Sequence, residues 1–139
     1  MKLIASTVLA AAAIVCLTGC ATAASIAVET FAGTPDGLSD SISLLNAEPV
    51  AVWGADRAHF SVVTVGSGSC PPVPTSITSP NTATIALVFV QSPNDPCSAD
   101  LGPTTHEFAT PAGIDSASPV TVTVQFDFTT DYNYELTLD

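Results

Sequence analysis

Val120-Thr121-Val122-Thr123-Val124-Gln125-Phe126-Asp127-Phe128 decides the fold. Apolar and polar side chains alternate with a period of two, which is a strand with one dry face and one wet face. Tyr132, Tyr134, Leu136 and Leu138 continue the same parity. A single strand of that length would run over about 60 Å at ~3.3 Å per residue, too far for a domain of this size, so the chain must fold back. Keeping parity through the return requires an odd number of loop residues. A three-residue turn at Asp131-Tyr132-Asn133, with Asn133 left-handed, is expected to set Phe128 opposite Leu136.

Working toward the N-terminus, the same β character persists. Strands are expected over residues 50–53, 58–65, 73–78, 83–90 and 104–110, with a first strand over 26–31. Turn signals separate them: Gly54-Ala55-Asp56-Arg57, Ser79-Pro80-Asn81, residues 92–96 and Pro111-Ala112-Gly113. Phe60, Val62, Val63 and Val65 put apolar groups on both faces, as do residues 83–90, so both strands should be central. Leu38, Ile42 and Leu45 recur at helical spacing behind Ser39 and Asp40, and predict a short helix near residues 38–46, ended by Pro49. The pattern is all-β: an antiparallel β-sandwich, immunoglobulin-like, of about seven strands with that one helix.

The first twenty residues describe a leader. Lys2 supplies a positive start, residues 3–15 an apolar run, and Leu17-Thr18-Gly19-Cys20 closes it. The run is shorter than the ~20 residues that span a bilayer. The closing tetrapeptide looks like a bacterial lipobox. Ala21-Thr22-Ala23 also satisfies the small-x-small rule of ordinary cleavage, but Cys20 directly after Gly19 favours the lipobox. The expected organisation is a lipoprotein signal peptide over 1–19, a lipidated tether over 20–25 and one β-sandwich domain over 26–139. A lipobox implies a diacylglyceryl group on Cys20. Each buried methylene adds ~0.8 kcal/mol, so two acyl chains hold where one would exchange.

The chain carries 13 Asp and Glu against 2 Lys and Arg, a net charge of −11. With Lys2 gone, Arg57 is the single cation. Such a chain is repelled by nucleic acid and by anionic headgroups, so the membrane partner is reached through lipid alone. Cys70 and Cys97 remain after the anchor, and a lone pair in an exported chain reads as a disulfide. Cys16 lies in the apolar run and reads as a small hydrophobe.

Candidate chemistry is sparse. Asp131, Asn133 and Glu135, with Asn94, Asp95 and Asp100, supply oxygens of the kind calcium takes, but without the spacing of a calcium loop; the polar face of an edge hairpin is the plainer reading. His59 and His106 with Glu107 suit zinc in type but lie on separate strands, and read as surface or half-buried histidines. Ser67 and Ser69 lack the G-x-S-x-G elbow of a hydrolase, and Gly66 and Gly68 read as the bend into Cys70. Pro71-Pro72-Val73-Pro74 satisfies PxxP but reads as a rigid lead-in that positions the disulfide, and Trp53 with Phe60 reads as core aromatics rather than a recognition patch. No catalytic set and no cofactor are expected.

Three segments carry a likeness: residues 48–53 (Glu-Pro-Val-Ala-Val-Trp), residues 62–72 ending in Cys70-Pro71-Pro72, and residues 97–105 opening with Cys97-Ser98-Ala99-Asp100. With the lipobox they resemble an uncharacterised group of small exported actinobacterial proteins and lipoproteins. The resemblance implies export and the Cys70–Cys97 pairing, and brings no activity. The reading is a lipid-anchored module on the outer face of the cell membrane, binding an envelope protein or glycan without catalysis. The alternatives are a calcium-dependent binding module and an envelope hydrolase.

Overall fold

Alternating β-branched and aromatic residues, cut at short intervals by Gly, Pro and Asn, commit this chain to strands. The computed structural model describes residues 24–36, 38, 48–129 and 132–139. Within them lie eight strands: β1 (Glu29–Ala32), β2 (Val50–Trp53), β3 (His59–Gly66), β4 (Val73–Asn81), β5 (Thr84–Val90), β6 (Gly102–Ala109), β7 (Val120–Phe126) and β8 (Asn133–Leu138). They form two four-stranded sheets, ordered β1-β6-β3-β2 and β4-β5-β7-β8. The expected sandwich is present, and its eight strands fall on the segments read as strands from the sequence. The leader, Cys20, Asp131 and, apart from Leu38, the helix expected near 38–46 lie outside the described residues.

One pairing departs from the antiparallel expectation. β5 and β7 run parallel, with Thr84 beside Thr121 and Phe89 beside Phe126. The cause is the path between them: β6 belongs to the other sheet, so the chain crosses the sandwich twice and reverses direction twice. The strand order therefore shares the two-sheet plan of an immunoglobulin domain but not its sequence of strands.

The C-terminal return keeps parity, and its register differs from expectation. Val124 faces Tyr134, Val122 faces Leu136 and Val120 faces Leu138. Leu136 thus sits opposite Val122 rather than Phe128, and Asn133, expected as the left-handed turn residue, instead pairs with Gln125 at the start of β8. β7 stops where its neighbour stops: past Phe126 the Asp127 N–H donates to the Phe89 carbonyl at 2.9 Å, and Thr129 N–H turns back to the Phe126 carbonyl. The β4–β5 turn also lies later than expected, with Asn81 opposite Thr84 and the Ala83 N–H donating to Asn81 Oδ1 at 2.8 Å.

Inward residues of both sheets interlock. Phe60, Val62 and Phe108 come from the first sheet, and Ile85, Leu87, Phe89, Val120, Val122, Val124 and Leu138 from the second, all essentially inaccessible. β3 and β5 are interior strands, as their two-faced apolar character required. Phe89 is the crossing point: its ring meets Phe108 at 6.4 Å and His106 at 5.1 Å across the sandwich, and Phe126 at 5.5 Å within its own sheet. Trp53 packs edge-on against Phe60, so both belong to the core region.

Both flanks of the sandwich are covered. On one side the Ile26 N–H donates to the Pro74 carbonyl at 3.0 Å, tying the entry of β1 to β4. On the other, β2 lies against β8. There Arg57, at φ 54° in the β2–β3 turn, lies over the Trp53 ring at 5.8 Å and donates to the carbonyls of Ser116 and Asp139. Stacking on the ring and bonding two carbonyls fixes the turn to the chain's end.

Candidate functional site

At the end of the sandwich opposite Arg57, the two sheets do not fill the space between them. The second sheet points Phe126 and Tyr134 inward. The first sheet answers with small residues, Thr64 facing Thr104 and Gly66 facing Gly102. A Cβ placed on either glycine would meet nothing within 4 Å. Large rings opposite glycine and threonine leave a gap, and it opens as a cavity of about 430 Å³ lined by Pro49, Thr64, Phe126, Phe128, Tyr132 and Tyr134 among others.

The rings form one cluster. Phe126 meets Phe128 at 5.6 Å and Tyr134 at 6.1 Å, both edge-on, and Tyr132 stacks with Tyr134 at 6.2 Å. Phe128 and Tyr132 stand at the mouth, 49% and 53% exposed. Partial burial, then the neighbouring Tyr132 and Glu48, push the Tyr134 hydroxyl above its ordinary pKa and keep it neutral.

The disulfide supports one rim. Cys70 and Cys97 both line the cavity and are bonded, with Cα atoms 5.4 Å apart. Around them Ser69 Oγ accepts from the Ser98 N–H at 2.7 Å and Asn94 Nδ2 donates to the Ser69 carbonyl at 2.7 Å. Asp100 Oδ1 accepts from Ser98 Oγ and from the Gly68 N–H. The Ser98 hydroxyl, then the Gly68 amide, hold the Asp100 carboxyl below the ordinary range, because both bonds favour the ionised form. Replacing both cysteines with serine is expected to cost about 3.5 kcal/mol in the chain-entropy treatment, as read from urea unfolding. A loss below ~1 kcal/mol would instead assign the rim to the serine–aspartate bonds.

Other residues singled out from the sequence fall as follows. Ser67 and Ser69 bond Ser98, at 3.0 and 2.9 Å, and not a histidine. His106 is fully buried rather than surface or half-buried: Nε2 lies 3.1 Å from Thr64 Oγ1 and Nδ1 3.3 Å from Thr30 Oγ1. Desolvation lowers its pKa to about 4, so the ring is neutral at physiological pH. His59 sits on the surface beside Asp56, at 3.8 Å. Asn133 and Glu135 are exposed on β8, opposite Gln125 and Thr123. Among the described residues no three His, Cys, Asp or Glu side chains gather as a metal site.

The ring cluster was missed in the sequence. Its signal was present: Phe126, Phe128, Tyr132 and Tyr134 keep one parity past the point where a strand can extend. Among the described residues no helix is long and apolar enough to cross a membrane. No family model, no curated protein and no solved structure matches the chain.

Proposed function

We propose that the protein is an exported lipoprotein whose β-sandwich is a non-catalytic binding module, held on the outer face of the cell membrane by acyl chains on Cys20. Its ligand is a component of the cell envelope and enters the ring-lined cleft. One observation carries the reading: an open cavity of about 430 Å³ whose mouth bears two half-exposed aromatic side chains. Leaving large rings in water at the lip of a concave apolar site is unfavourable unless something covers them, and such sites are where ligands bind. The lipobox and the repulsion of acidic surfaces from anionic headgroups support attachment by lipid.

The test is crosslinking in whole cells, with the wild-type protein and the Phe128→Ala/Tyr132→Ala double variant extracted from membranes. The wild type should capture a reproducible envelope component and the variant should not. Intact mass of the same preparation should show the acyl addition at Cys20 and the two-dalton deficit of the Cys70–Cys97 bond. Equal capture by both forms would remove the cleft from the reading, and an unmodified, freely secreted chain would remove the anchor.

A further inference from the structure

We infer that the cleft selects a small organic cation with an apolar body, of the alkylammonium kind; this rests on the cleft being a ligand site. Four aromatic rings line the space, each with its centroid within 6.2 Å of another's. A guest that enters therefore lies close to several π-systems at once, and a ring face attracts a cation within about 6 Å of its centroid.

Among the described residues the lining carries no charged side chain. An anionic guest would find no counter-charge there, and a strongly hydrated one would lose its water without replacement. An alkylated ammonium is weakly hydrated and spreads its charge over methyl groups, so it suits an apolar, ring-lined space.

Charge around the mouth points the same way. Asp100 is held at the disulfide rim by the Gly68 N–H and the Ser98 hydroxyl, beside the lining residues Ser67 and Cys97, and Glu48 directly precedes the lining residue Pro49. Arg57, the only lysine or arginine among the described residues, is bonded at the far end to Ser116 and Asp139. Acidic groups around a low-dielectric cleft focus a negative potential into it and raise the local concentration of cations.

The experiment titrates the full-length protein with choline and with its uncharged isostere 3,3-dimethylbutanol, followed by calorimetry. Choline should bind about tenfold more tightly than the alcohol, as expected for a cation partly desolvated against several rings. Phe128→Ala and Tyr132→Ala should each weaken choline binding by several-fold, and Tyr132→Phe should restore it, since the ring and not the hydroxyl holds the charge. Both side chains are half exposed, so these variants leave the core intact. Equal or tighter binding of the alcohol would overturn the preference for a cation while leaving the cleft a ligand site. Unchanged choline binding in the alanine variants would place the cation elsewhere on the acidic surface, and also overturn it. If neither compound binds, this inference falls, while the cleft as a ligand site is decided separately by the crosslinking comparison.

Discussion

Phe89→Ala should cost about 3–5 kcal/mol of unfolding free energy, the largest loss expected from any single truncation in this domain. The ring is wholly buried and touches both sheets through His106 and Phe108, and its own sheet through Phe126. Shortening it removes transfer energy and leaves a void that two rigid sheets cannot collapse around. Because Phe126 leans on Phe89, the variant should also loosen the ring cluster, and choline affinity should fall along with stability. Equilibrium urea unfolding measures the first effect. A loss under ~1 kcal/mol would mean that the sheets close without this ring.

The second large effect is a loss of stability in mild acid. In the unfolded chain the His106 imidazole titrates near 6.5, and in the folded chain burial lowers this to about 4. The unfolded state therefore binds its proton first. Stability from this group is complete above pH 6.5, declines as pH falls toward 4, and levels off below. The separation corresponds to about 3 kcal/mol, a large part of the 5–15 kcal/mol typical of small domains. His106→Gln removes the titration while keeping a donor and an acceptor for Thr30 and Thr64. Unfolding midpoints taken between neutral pH and pH 4 should fall for the wild type and stay nearly level for the variant. Parallel declines would show that other groups carry the acid response.

What was legible in the sequence was local. β2 matches residue for residue, because four apolar residues between Pro49 and Gly54 leave little freedom. The alternation from Val120 onward marked the buried face of β7 and β8 correctly. The register of that hairpin depended on where β5 ends, which is a property of another part of the chain. The parallel β5–β7 pair was hidden for the same reason, since periodicity identifies a strand's face and not its neighbour. His106 could have been read as buried, because it shares parity with Phe108 and Thr104 along β6. The cleft needed both sheets in view: an aromatic row is a core until the facing row proves to be threonine and glycine.

The pairing of β5 with β7 also constrains when this chain can become stable. Some 37 positions separate the two partners, since Thr84 must wait for Thr121 to be synthesised. Contacts of such sequence separation form late and slow the search for the native topology. Until then the edge carrying Ile85, Leu87 and Phe89 is open, an apolar template for another nascent copy. Any truncation upstream of Val120 would make that exposure permanent, and its product should accumulate as aggregate rather than as a shortened, working domain.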